Sequence, residues 1–341
     1  MRVMQIMAGS KFGGAETFYE RLVTALHASG LEQQAVIRRQ AERAERLKAS
    51  GLAVRQLAFG GVFDVLTTLR IGHAIKAWRP DVVLTWMNRA TSKTPKSAAV
   101  WCGRLGGYYD LKYYHRCDHL IGNTADIVDY IRGQGWPKER THFLPNFVSA
   151  VRKAPIPRAA FDTPERVPLL LALGRLHANK AFDTLIRALA NVPEAYLWLA
   201  GVGPEEEALR RLAKERGVDG RVRFLGWQTD TAPLFAASDI FVCPSRHEPL
   251  GNVVIEAFAQ ERPVIAAASQ GPKALIDHEV NGLLVPIDDV DALTCAIAAT
   301  IADPLGSAAL ARAGNATYVA RFTEESVVIA YRAFFDKIAR R

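Results

Sequence analysis

Short apolar runs alternate along the chain with stretches whose apolar positions recur at helical spacing. Arg2–Ala8 reads as a buried strand. Gly14–Ser29 reads as a helix, with Ala15, Phe18, Tyr19, Leu22, Val23 and Leu26 on one face. Further strands are predicted at Ala35–Arg38, Ala53–Ala58, Asp81–Trp86, Ala98–Cys102, His119–Gly122 and Thr141–Leu144. Helices fit between most of them, Asp64–Trp78 and Ala125–Gly133 being the clearest, while the polar run Asn88–Lys96 predicts loop or weak helix. Pro145, Pro155, Pro157, Pro164 and Pro168 then break the rhythm, as an interdomain linker would. It restarts with strands at Leu169–Gly174, Ala195–Ala200, Arg221–Leu225, Ile240–Cys243, Pro263–Ala266 and Gly282–Val285. Helices are predicted at Lys180–Ala190, Glu205–Glu215, Asn252–Gln260, Asp289–Ala302, Leu305–Ala320 and Glu324–Arg340.

Strand–helix alternation specifies parallel sheets with helices on both faces. The expected fold class is therefore α/β, with two Rossmann-like domains joined by a proline-rich hinge. Ligands of such sheets bind outside the carboxyl ends of the strands, so two facing sheets imply a cleft. The length of 341 residues fits two domains.

Composition narrows the function classes. The chain is 49 % hydrophobic and 23 % charged, which excludes wholesale disorder. No apolar stretch is long enough for a transmembrane helix, and Met1–Ala8 is too short for a signal peptide. Cys102, Cys117, Cys243 and Cys295 form no CxxC pair, so free thiols in a reducing cytoplasm are expected. The net charge of +8 is uneven: residues 1–150 hold 21 Lys/Arg against 12 Asp/Glu, and residues 151–341 hold 22 against 23. A basic half beside a neutral half points to an anionic partner for the first domain. No nucleic-acid-binding motif is present, so no nucleic-acid partner is expected.

Three constellations can carry chemistry. Gly13 and Gly14 open the first helix, where side-chain-free backbone lets N–H groups approach an anion; taken alone, a tight strand-to-helix turn explains them better. The spacing is neither a P-loop nor GxGxxG. Arg175 and Lys180 leave the strand ending at Gly174 on a short loop, where a guanidinium fork and an ammonium could clamp a diphosphate, or could simply be solvated cations. In Pro244–Ala257, Gly251 and Asn252 open a helix with free N–H groups, and Glu248 and Glu256 flank that opening. Carboxylates repel phosphate but accept hydrogen bonds from sugar hydroxyls. The plainer alternative makes Glu248 a cap and Glu256 a surface residue. Three other patterns read as structural. His115 and His119 lie four apart, but a strand at His119 spoils a helical metal pair. Asp289-Val290-Asp291 opens a helix. Gly201-Val202-Gly203-Pro204 makes a turn.

Together, Gly174-Arg175-Leu176 with Lys180, Ala200–Pro204, Val222–Gly226, Glu248–Glu256 and Glu279–Val285 resemble glycosyltransferase family 4 in order and spacing over most of residues 169–290. Gly13-Gly14-Ala15-Glu16 matches as well. The family comprises group 1 glycosyltransferases of GT-B fold, retaining and dependent on sugar nucleotides. The resemblance implies an N-terminal acceptor-binding domain over 1–150, with the helix 322–341 crossing back to it, and a C-terminal donor-binding domain over 165–320. It further implies that Arg175 and Lys180 hold the donor diphosphate and that Glu248 binds the transferred sugar. By the same resemblance, backbone groups of Gly251, Asn252 and Val253 contact phosphate and sugar, and Glu256 takes the ribose. Val202 and Leu225 lie on the base side, and Gly14 approaches the phosphate. No cofactor or metal is expected; the co-substrate is a nucleotide-diphosphate sugar, a UDP-sugar first among them. The acceptor implied is a glycan or glycolipid of cell-surface polysaccharide or lipopolysaccharide synthesis. Charge adds a peripheral contact with the anionic inner face of the cell membrane.

Two departures stand out. Leu250 occupies a position where the family usually has Phe, and Val100–Lys112 lacks the His that many members carry near the reacting sugar. Arg104 or a Tyr in that stretch could replace it. Two rival readings follow: a non-catalytic sugar-nucleotide-binding subunit, and a sugar phosphorylase on the same scaffold.

Overall fold

The structure, a computed structural model, describes residues 1–11, 13–61 and 63–339. Arg340 and Arg341, at the end of the last predicted helix, lie outside them. The chain divides into two compact units, Met1–Phe147 with the segment from Glu324 onward, and Val148–Thr323.

The first unit contains β1 (Arg2–Met7), α1 (Gly14–Ala28), β2 (Glu32–Arg38), α2 (Ala41–Ala49), β3 (Ala53–Leu57), α3 (Val65–Trp78), β4 (Val82–Trp86), α4 (Met87–Lys93), β5 (Val100–Leu105), β6 (His119–Gly122), α5 (Ala125–Gly133) and β7 (Thr141–Phe143). Its strands pair in parallel in the order β3-β2-β1-β4-β5-β6-β7. The second unit contains β8 (Leu169–Leu173), α6 (Phe182–Ala190), β9 (Tyr196–Ala200), α7 (Glu206–Glu215), β10 (Val222–Gly226), α8 (Ala232–Ala237), β11 (Ile240–Cys243), α9 (Asn252–Ala259), β12 (Val264–Ala267), α10 (Gln270–Leu275), β13 (Leu283–Val285), α11 (Val290–Ala302) and α12 (Pro304–Arg321). Its strands are also parallel, in the order β10-β9-β8-β11-β12-β13. The last helix, α13 (Glu324–Ala339), belongs to the first unit.

The strands read as unbroken apolar runs because both faces of each sheet are covered. In β8, Leu169, Leu171 and Leu173 enter one core with residues of α8, α9 and α12, while Leu170 and Ala172 enter the other with α6, α7 and α11. In β4, Val82, Leu84 and Trp86 pack with α1 and α13, and Val83 packs with α3 and α5. Capping side chains set several helix starts: Asp64 accepts from Thr67 N at 3.0 Å, Thr124 from Ile127 N at 3.1 Å and Asp289 from Ala292 N at 2.8 Å.

Some elements differ from expectation. Where the run beginning at Asn88 left loop or weak helix open, a helix forms: α4 buries Ala90 and Thr91, and Thr91 bonds Thr85 at 2.9 Å. β5 starts and ends later than its apolar residues indicate. Gly103 makes room for the Tyr114 ring, which a Cβ would approach to 2.6 Å. α8 and α10 are too short to show a period. The proline-rich stretch packs on the second unit: Ile156 and Phe161 join its core, and Arg158 donates to Ala237 O, Val167 O and Asp239. No single helix is long and apolar enough to cross a membrane among the described residues.

Candidate active site

In the second sheet, strand order reverses between β8 and β11, and ligands of open parallel sheets bind outside the carboxyl ends at such a point. The loops leaving these two strands carry Arg175 with Lys180 and Glu248 with Gly251.

Backbone hydrogen bonds lace the neighbouring turns together. Gly201 N donates to Gly226 O at 2.8 Å, Gly174 N to Ala200 O at 3.0 Å and Leu176 N to Val202 O at 3.0 Å. These bonds seat Arg175, Val202 and Leu225 on one edge of the sheet. Arg175 is exposed and makes no side-chain hydrogen bond among the described residues, Val202 is exposed, and Leu225 is half-buried. The stem of Lys180 passes Gly174, where an added Cβ would stand 3.2 Å from its Cε. Its ammonium forms an ion pair with the Glu248 carboxylate, the two side chains being 21 % and 11 % exposed. Glu248 also lies 3.4 Å from Gly251 N, and its carbonyl accepts from Gly271 N at 2.7 Å.

Gly251 caps α9 in the left-handed region, with φ of 69°. A Cβ there would press on Leu275 at 2.8 Å, so glycine is required both for conformation and for space. Along α9, Asn252, Val253 and Glu256 are the half-exposed positions of an otherwise buried helix. They form one open stripe beginning at its N-terminus, where first-turn N–H groups and the helix dipole favour an anion. Beneath the pair lies Cys243, whose thiol is pushed up to about 11, by burial first and then by the nearby Glu248 carboxylate. It is a packing residue rather than a nucleophile.

A second network braces this loop. Arg246 grips both Asp183 oxygens at 2.9 Å, the Asp288 carboxylate at 2.8 Å and Ala178 O at 2.6 Å. Burial pushes the Asp183 carboxyl up, but hydrogen bonds from Arg246 and Arg187 outweigh it and hold the group below its ordinary range. His247 N donates to Asn179 O at 3.2 Å, tying the same two loops. Sequence reasoning missed this network: its members are far apart in the chain, and only the Asp183–Arg187 pair has a helical spacing that could have shown it.

In the first unit, sheet order reverses between β1 and β4. The turn after β1 holds a buried carboxylate: Glu16 accepts from Ser10 N at 2.7 Å and Ser10 Oγ at 3.0 Å. A Cβ on Gly9 or Gly13 would overlap that carboxylate, whereas Gly14 is exposed with nothing within 4 Å of where a Cβ would stand. Thus Gly9 and Gly13 serve Glu16, and Gly14 faces open space.

Arg104, considered above as a replacement for the missing His, lies inside β5 and is buried. Its guanidinium donates to Tyr331 OH at 2.8 Å and Asn146 Oδ1 at 2.5 Å, and stands over the Phe18 and Trp86 rings at 4.8 Å and 4.5 Å. It ties β5 to α1, β4 and α13. His119 lies on β6, and its Nδ1 stands 3.1 Å from His142 Nε2; His115 is on an exposed turn. Among the described residues no group of three or more His, Cys, Asp or Glu converges on a metal-sized space. Asp289 caps α11, as its spacing indicated.

Comparisons with known proteins agree with this arrangement. Residues 167–303 match the family described as "Glycosyl transferases group 1". The chain is 39 % identical over 329 residues to the lipopolysaccharide core biosynthesis glycosyltransferase LpsE of Rhizobium meliloti, covering 94 % of this chain and 95 % of that protein. A glycosyltransferase structure from Rickettsia africae superposes with a TM-score of 0.87 at 16 % identity, covering 99 % of this chain and 98 % of that one. Anabaena Alr3699/HepE in complex with UDP-glucose superposes with a TM-score of 0.83 at 19 % identity, covering 99 % and 100 %. Both sheets, all parallel, therefore belong to a GT-B fold.

Proposed function

Since the chain belongs to the group 1 glycosyltransferases, we propose that it is a retaining enzyme of family 4 that moves a sugar from a nucleotide-diphosphate sugar to a lipopolysaccharide core glycan. The observation that carries this reading is the meeting of Lys180 and Glu248 at the reversal point of the second sheet, beside the N-terminus of α9. A diphosphate leaves readily only when its developing charge is stabilised. Arg175, Lys180 and the amides opening α9 are charges and dipoles fixed in place for that task, and they act most strongly as the bond breaks. In the resting protein Lys180 is neutralised by Glu248. On donor binding, Lys180 turns to the diphosphate while Glu248 accepts from the sugar hydroxyls, which a carboxylate does well. Glu256 takes the ribose, Val202 and Leu225 border the base, and Gly14 approaches the phosphate. The first unit binds the acceptor. Retention follows from attack on the face the diphosphate leaves, with that diphosphate taking the acceptor proton. With two protein cations on the diphosphate, no metal ion is assigned a step.

UDP-glucose in the Anabaena protein supports a UDP-sugar donor, and the name of the Rhizobium relative supports the lipopolysaccharide core as acceptor. The excess of Lys and Arg in residues 1–150 supports work at the inner membrane face. The test is incubation of the pure chain with UDP-, GDP- and ADP-sugars and truncated lipopolysaccharide core. Diphosphate release with one donor and a product of retained anomeric configuration by NMR are expected. Release with none of them, turnover only with inorganic phosphate, or an inverted product would overturn the reading.

A further inference from the structure

On the amino edge of the second sheet, a cavity of about 580 Å³ opens where β8, β11 and β12 begin. The residues lining it all belong to the second unit. The loops that carry Arg175, Lys180 and Glu248 leave the opposite edge of the same sheet. The cavity has the size of a small-molecule site. Pro168, Ile240, Pro263 and Ile301 give it an apolar wall, and Arg158, Arg166, Arg262 and Arg312 line it as well.

These arginines are not equivalent. Arg158 is spent on the fold, donating to Ala237 O at 2.8 Å, Val167 O at 2.7 Å and Asp239 at 2.9 Å. Asp239 also accepts from Leu169 N at 2.8 Å, so its charge is already met. Glu261, another acid of the lining, pairs with Arg152 at 2.6 Å. With these pairs set aside, Arg166, Arg262 and Arg312 face one further lining carboxylate among the described residues, the exposed Glu165. Arg166 and Arg312 are exposed and make no side-chain hydrogen bond or ion pair among the described residues. Arg262 is half-buried; its Nη2 donates to Ala236 O at 3.4 Å, and its Nε is buried without a partner. Burial pushes its pKa below the ordinary arginine value, with Arg152 and Arg158 adding to the shift and Asp239 and Glu261 opposing it. One long bond to a carbonyl is little for a charged group held partly out of water.

We propose that this cavity binds a phosphate monoester of a small metabolite, with Arg166, Arg262 and Arg312 donating to the phosphoryl oxygens and the body of the ester lying on the prolines and isoleucines. Guanidinium forks match phosphate oxygens two at a time. Three of them suit a doubly charged group with three terminal oxygens. A carboxylate offers only two oxygens and one charge. A cleft lined by uncompensated charge of one sign draws such an anion from solution. The apolar wall favours an ester over the free ion, which has nothing to place against it. The site is separate from the one that holds Lys180 and Glu248, and α9 runs from one to the other. Gly251 opens that helix, and Arg262 follows the turn that closes it, its N–H donating to Ala257 O at 3.0 Å. The proposal does not depend on which donor or acceptor the enzyme uses.

Calorimetric titration of the full chain with glucose 6-phosphate, AMP, inorganic phosphate and succinate tests it. At least one of the two esters binds, at least ~10-fold more tightly than inorganic phosphate or succinate, the equivalent of one good additional contact. R262A and R166A/R312A each weaken that ester at least ~10-fold, the equivalent of one lost charge-assisted hydrogen bond. Arg166 and Arg312 are exposed and unpaired among the described residues, so R166A/R312A keeps the wild-type melting temperature and its loss is read on a folded chain. R175A/K180A, altered at the opposite edge of the sheet, keeps the wild-type affinity for the ester. Binding of neither ester, equal binding of inorganic phosphate or succinate, undiminished affinity in R166A/R312A, or a loss confined to R175A/K180A overturns the proposal.

Discussion

Lys180→Ala and Glu248→Ala each lower turnover at least ~100-fold, the scale of losing one group that stabilises charge developing in the transition state. The two residues contact each other in the resting protein, so each substitution also strands a largely buried partner. Stranding costs stability, about 1–3 kcal/mol for a part-buried charge-assisted contact. Stability and catalysis are separated by the double variant K180A/E248A. Removing both charges restores most of the thermal stability lost in either single variant, because no unpaired charge remains. It does not restore turnover, because the diphosphate has lost its ammonium and the sugar its acceptor. Thermal unfolding and steady-state rates on the three proteins check this. A double variant that regains both stability and rate would make the pair a structural brace only.

Gly201→Ala destabilises the second unit by more than ~4 kcal/mol, in the range reserved for severe backbone conflict. The Cβ it adds would stand 1.8 Å from the carbonyl oxygen of Gly174, at a φ of 147° that L-residues rarely adopt. No side chain can swing away to relieve this, since the obstacle is backbone held by the bond from Gly174 N to Ala200 O. Gly203 faces the same difficulty, with Leu176 O at 2.2 Å from its added Cβ. Gly217 provides the contrast: its φ is 67°, but nothing lies within 4 Å, so Gly217→Ala costs only about 1 kcal/mol. Denaturant unfolding of the two variants should separate them widely. Equal, small losses would mean that the lacing of the turns after β8, β9 and β10 yields easily, and with it the placement of Arg175.

The half-turn Gly201-Val202-Gly203 was legible only as a turn. Its glycines are explained by contacts with residues near 175, which no local spacing encodes. Strands were readable as short unbroken apolar runs, because both faces of each sheet are buried, and long helices by the 3.6-residue period that one-sided burial imposes. Lys180 and Glu248 were legible as candidates from the family pattern, yet their ion pair joins positions 68 apart. Arg246 stood in the open as part of Pro244–Ala257, and its grip on Asp183 and Asp288 could not be read, because one partner opens α6 and the other lies in the loop before α11. Glu16 looked like an ordinary first-turn acid; that Gly9 and Gly13 exist to admit its carboxylate follows only from coordinates. The Arg104 stretch shows the opposite error. A cation beside tyrosines invited a role at the acceptor, and the fold spends it between two aromatic rings and Tyr331.

Calorimetric titration of the chain with UDP, GDP and ADP bears most directly on whether the second unit holds a nucleoside diphosphate. One of the three should bind the wild-type protein, and Arg175→Ala should weaken it at least ~10-fold, the equivalent of one charge-assisted hydrogen bond. Binding of none of them, or undiminished affinity in Arg175→Ala and Lys180→Ala alike, would contradict the site described here.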